Sequence, residues 1–181
     1  MQVALLVPPA VIIEGQITEP SLELSYHFGA MLAAAAPEHA LLFGSAPEEI
    51  QDLLEALSLS FGAGHTGGRR PSSEVTRVAS FFWETIPPRA QRRLSQLCGE
   101  PSELSYATLT SASRRVLRRA GLIVCGDLPT AIADACLESG LEPPRHLAEL
   151  ATCAGQSAAV ADLLGLALSP EYAELRFRDA Y

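Results

Sequence analysis

A chain of 181 residues that is 48% hydrophobic and 19% charged can bury a core of its own and is too apolar to be a disordered segment. Its net charge of −8 opposes non-specific binding to nucleic acid, and its four cysteines form no C-x-x-C pair, which points to reduced thiols rather than a disulfide framework. The most apolar runs, Val3–Ile13 and Ala30–Gly44, are broken by prolines well short of the roughly 20 residues needed to cross a bilayer. With no cationic segment leading into an apolar run at the N-terminus, the expectation is a soluble, cytoplasmic chain without a membrane partner.

Residues 2–14 are rich in β-branched side chains around Pro8-Pro9, which predicts two short strands or one bent ribbon. Beyond Gly15 the period becomes helical. Glu19-Pro20-Ser21 gives a start signal, Leu22, Tyr26, Gly29, Ala30 and Ala33 share a face small enough to admit a close neighbouring helix, and Pro37 is expected to stop the run. Ser45 then caps a second helix to about Leu59, with Ile50, Leu53, Leu54 and Leu57 as its apolar stripe. Residues 62–72 hold too much glycine and proline for regular structure and are expected to form a flexible loop. Helices follow over 73–85, 88–98, 102–125, 128–139, 144–154, 156–168 and 170–178, with Trp83 anchoring one of the first two and Gly126 ending the longest. The expected fold is mostly α, a multi-helix bundle with a small N-terminal β element. One domain is expected over 1–181: a β element at 1–15, a helical hairpin at 16–61, the loop at 62–72 and a helical bundle at 73–181.

Charge is segregated along the chain. Residues 1–68 carry eight acids and no base, 69–119 carry ten arginines against four acids, and 120–181 carry nine acids against three arginines. Arg114, Arg115, Arg118 and Arg119 fall at i, i+4 spacing on the longest helix, a strip that could hold an acidic segment or be balanced by the acidic thirds of the chain itself. All thirteen basic residues are arginine, and lysine and asparagine are both absent, so the strip is weak evidence for phosphate recognition.

Catalytic and metal signatures are sparse. Gly62-Ala63-Gly64-His65-Thr66-Gly67 matches G-x-G-x-x-G but follows a helix and leads into Arg69-Arg70-Pro71, so it lacks the strand–turn–helix setting of a dinucleotide site. His27, His39, His65 and His146 are scattered, and no pair lies four residues apart. No G-x-S-x-G elbow occurs, and the apolar settings of Cys98, Cys125, Cys136 and Cys153 raise thiol pKa values. Glu23 and His27 share a helix face, and with His65 they are the best acid, base or ligand candidates for a small hydrolase. No cofactor or metal is expected.

Three segments, in order, resemble the gluzincin zinc metallopeptidases of the HtpX and CAAX-prenyl-protease type. Val3–Glu14 is similar to the family's opening strand segment. Glu23–Ala35 resembles its active-site helix, and Ala30-Met31-Leu32-Ala33-Ala34 falls on H-E-x-x-H. Arg114-Arg115-Val116-Leu117-Arg118-Arg119-Ala120-Gly121-Leu122 resembles the segment E-x-x-A-D-R-A-G-L, which supplies the glutamate ligand. The resemblance therefore implies an abandoned zinc site: Ala30 and Ala34 stand for the two histidines, Met31 for the general base, Arg114 for the glutamate and Arg118 for the aspartate.

Hydrolysis by such an enzyme needs the metal and the carboxylate together. The resemblance thus implies a catalytically inactive, peptidase-like bacterial domain, associated with helical repeats, that serves as a protein-binding module or scaffold. The alternatives are the small hydrolase around Glu23, His27 and His65, and an adaptor that binds an acidic partner through Arg114–Arg119. The partner's identity and the oligomeric state stay open.

Overall fold

Two segments far apart in sequence, Met1–Phe43 and Ser113–Tyr181, build one packed unit, and the chain between them, Gly44–Ala112, builds a second. The computed structural model describes residues 1–15, 19–62, 70–99 and 105–177. The chain is mostly α, with ten helices and one two-stranded sheet among the described residues. In sequence the second unit is inserted between the two segments of the first.

The first unit opens with β1 (Gln2–Ala4) and β2 (Ala10–Ile12), antiparallel with Val3 opposite Val11. Pro8 and Pro9 fall in the connection, where neither removes a ladder hydrogen bond. Helix α1 (Leu22–Ala34) begins where the Ser21 hydroxyl accepts from the Leu24 amide at 3.1 Å. It ends at Ala34, short of Pro37 as expected, and Pro37 then starts a further helix, α2 (Pro37–Gly44), because proline is suited to the first turn, whose amide has no helical partner anyway.

The same unit holds the end of α6 (Tyr106–Cys125), then α7 (Leu128–Glu138), α8 (Leu147–Gln156), α9 (Ala158–Ala167) and α10 (Pro170–Phe177). Gly126 closes α6 at φ +65°, a conformation that favours glycine, and Arg176 of α10 lies against it, donating to its carbonyl at 3.4 Å. The Asp127 carboxylate caps α7 by accepting from the Thr130 amide and hydroxyl at 2.9 and 2.7 Å, bonds that hold its carboxyl below the usual range. One apolar core joins Tyr26, Leu122, Ile132, Cys136, Val160 and Leu163.

In the second unit α3 (Pro47–Phe61) packs along α4 (Ser73–Thr85) and touches α5 (Pro88–Leu97). Ala46 is the cap residue of α3, and the Glu49 carboxylate accepts from its amide at 3.1 Å, so the start lies one residue beyond Ser45. Ala56, Val75 and Ala79 form the buried centre of the α3–α4 pair. The Ser60 hydroxyl donates to the Ala79 carbonyl at 2.9 Å across the helix pair. The residues 63–69 expected to be a flexible loop lie outside the described residues.

Candidate functional site

The close approach of α1 to α6 organises the first unit's polar residues. A β-carbon at Gly29 would lie 2.7 Å from that of Val124, and one at Gly121 would lie 2.7 Å from the Tyr26 ring. This is the small-residue face expected on α1, now with its neighbour identified. Tyr26 is only 2% exposed at this crossing. Burial, with Asp134 next in weight, pushes its phenol well above the usual tyrosine range, and its hydroxyl makes no hydrogen bond.

Beside it, His27 sits with Nε2 3.6 Å from Asp134 of α7. Glu23 lies one turn earlier on α1, its carboxyl held below the usual range by its own backbone amide and the Ser21 hydroxyl. His65, the third member of the hydrolase alternative, lies outside the described residues.

An unbonded hydroxyl in a core retains the cost of its desolvation. Tyr26→Phe is therefore expected to hold or raise stability by up to about 1 kcal/mol at pH 8. A phenol with a raised folded pKa contributes stability that is complete below the unfolded value and is lost as pH climbs through and above it. Thermal melts at pH 8 and pH 11 should show wild type losing more stability than the phenylalanine variant over that interval. Equal losses would place the phenol in water.

The arginine strip on α6 meets acids of its own unit. Arg114 and Arg118 share Glu138 of α7 at 3.0 and 2.8 Å. Arg115 reaches Asp162 of α9 at 2.6 Å, and Arg119 grips the same carboxylate with two bonds of 2.6 and 2.9 Å. Each i, i+4 pair thus straddles one carboxylate, and the strip joins helices within the unit. The chain itself supplies carboxylates for all four arginines, which is the second of the two ways to read the strip.

The zinc-site positions separate in the same way. Ala30, Met31 and Ala34 pack with Val3, Ala40 and Leu117 in an apolar cluster, while Arg114 and Arg118 turn to Glu138. Two alanines, a thioether and two engaged guanidiniums do not fit a zinc centre. Among the described residues no three His, Cys, Asp or Glu side chains gather in a way that could hold a metal. No helix among them is long and apolar enough to cross a membrane.

All four cysteines are buried. Burial raises the thiols of Cys98, Cys125 and Cys136, with a further push on Cys136 from Cys153 beside it.

No protein-family model matches the chain, and neither the curated proteins nor the solved structures yield a match. The gluzincin resemblance rests on the residues quoted for it alone.

A second arginine set, passed over in the sequence, lies on α5. Arg89, Arg92, Arg93 and Gln96 fall at i, i+3, i+4 and i+7 and line an open depression of about 1020 Å³ together with Pro87 and Ala90. All three arginines are exposed, and among the described residues no carboxylate pairs with any of them. The helix is held from the other side, where Gln91 donates to the carbonyls of Trp83 and Ile86 at 2.8 Å each.

Trp83 stacks on the buried Phe61 at 5.8 Å between ring centroids yet is 57% exposed. Trp83 thus does anchor α4 on α3, through one ring face. The 88–98 periodicity was enough to find the arginine stripe. The cluster at 114–119 is denser, but charge density is visible in a sequence and pairing is not.

Proposed function

We propose that the protein is a protein-binding module that holds an acidic segment of its partner on the outward face of α5. The contrast between the two arginine sets carries this reading: the four on α6 hold carboxylates of their own unit, whereas Arg89, Arg92 and Arg93 have none among the described residues. Unpaired cations in one stripe attract a carboxylate-bearing surface and fix its register. Trp83, whose carbonyl is bonded to Gln91 of α5, adds the kind of exposed aromatic area that dominates binding energy at protein interfaces. A peptidase-like, catalytically inactive origin fits beside this reading and contributes nothing to the grip.

Trp83 is the chain's single tryptophan, and its carbonyl is bonded to Gln91 of α5, so its fluorescence reports on this surface. Titration with a polyglutamate peptide at low ionic strength is expected to change the emission saturably. Binding should weaken at least about tenfold at 0.5 M salt, by screening of exposed charge. The triple variant Arg89→Glu, Arg92→Glu, Arg93→Glu should abolish the response while keeping the helical circular dichroism. Unchanged affinity in that variant would rule α5 out.

A further inference from the structure

We infer that the acidic partner of α5 is α3 of a second copy of this chain, which rests on α5 being the docking surface. Glu48, Asp52 and Glu55 recur at i, i+4 and i+7 on α3, one stripe of about 10 Å at 1.5 Å per residue. Among the described residues none of the three pairs with a cation. Glu49, by contrast, is spent on the Ala46 amide.

The arginine stripe on α5 covers a similar length, and α3 and α5 touch within one unit. Ile50 and Ala56 on α3 and Cys98 at the end of α5 are buried and Leu94 is half-buried, whereas Glu48, Asp52 and the three arginines are exposed and Glu55 is half-buried. No bond joins the two stripes inside the chain. Two copies related by a two-fold axis put each α3 against the other copy's α5, so one contact repeats twice and all six charges of each copy meet their opposites. The chain's overall net charge of −8 works against this association at long range. The contact is therefore local and salt-sensitive.

Charge exchange tests it. Sedimentation equilibrium of the full chain at low salt is expected to give a dimer that dissociates in 0.5 M salt. The variant Arg89→Glu, Arg92→Glu, Arg93→Glu and the variant Glu48→Arg, Asp52→Arg, Glu55→Arg should each be monomeric, with dissociation constants raised on the order of hundredfold, since six exposed pairs per dimer are lost. Mixing the two variants should restore a one-to-one dimer, because each then supplies the charge the other lacks. Helical circular dichroism of each variant separates lost association from lost folding, and the mixture restores association only if both are folded.

A wild-type monomer at every salt concentration overturns the self-pairing. If that monomer still binds polyglutamate through α5, the binding-module reading stands and only the partner is wrong. If it does not, both fall. A dimer that persists in the α5 variant, or a mixture that stays monomeric, also overturns the pairing.

Discussion

Gly121→Ala is expected to destabilise the first unit by about 2 kcal/mol, and Gly29→Ala by a similar amount. Alanine is ordinarily the better helix former by about 1 kcal/mol, so both substitutions oppose their local propensity. At Gly121 the added methyl would lie 2.7 Å from two carbons of the Tyr26 ring and 2.9 Å from the Tyr26 carbonyl oxygen. At Gly29 it would lie 2.7 Å from two carbons of Val124 and 2.8 Å from the Ala120 carbonyl oxygen. The ring and the valine could shift, but the two carbonyls belong to helix backbone, so α1 and α6 would have to separate.

Gly165→Ala is the matched control. It lies in α9 with nothing within 4 Å of a new β-carbon, and should gain about 0.5–1 kcal/mol from propensity alone. Urea midpoints of the three variants decide the matter. A fall for the two crossing glycines and a rise for Gly165 is the expected pattern, and a rise at Gly121 would mean that the crossing is looser than described.

The helix pattern was legible because each helix carries its own punctuation. Ser21, Ser72, Asp127 and Ser157 accept from amides at the starts of α1, α4, α7 and α9, and these are residue types whose capping chemistry is local. Proline was the ambiguous mark. Pro37 follows the end of one helix and starts the next, and its residue type suits either role.

The division into two units was not legible, since it depends on which helices pack and not on where they end. Met1–Phe43 returns to Ser113–Tyr181 across Gly44–Ala112 through contacts such as Gly29 with Val124 and His27 with Asp134, which have no local signature. The same holds for the arginines. Glu138 and Asp162 lie between 20 and 47 residues from the guanidiniums they hold, so the i, i+4 spacing told which arginines act together but not what they act on.

Asp162→Ala is expected to cost about 2 kcal/mol, more than loss of an ordinary surface ion pair, because the Asp162 side chain is only 11% exposed and serves two arginines. The full penalty for a broken buried pair is larger, but Arg115 at 57% and Arg119 at 37% exposure remain within reach of water and recover part of their solvation.

The pH dependence follows from the same geometry. Burial alone would raise the Asp162 carboxyl, yet the bonds and charges of Arg119 and Arg115 outweigh it and hold the carboxyl below its ordinary value. A carboxylate depressed in the folded state adds stability that is complete above its unfolded pKa, near 4, and is lost as pH falls through the folded value. Asp162→Asn keeps the shape and removes the titration. Above pH 5 its deficit against wild type should be constant, and below about pH 4 the two stability curves should converge as wild type protonates. Thermal melts from pH 3 to pH 7 test both parts. Parallel curves throughout would mean that the carboxylate is solvated and that the α6 strip does not join α9 to the unit, which would return Arg115 and Arg119 to the surface as cations free for a partner.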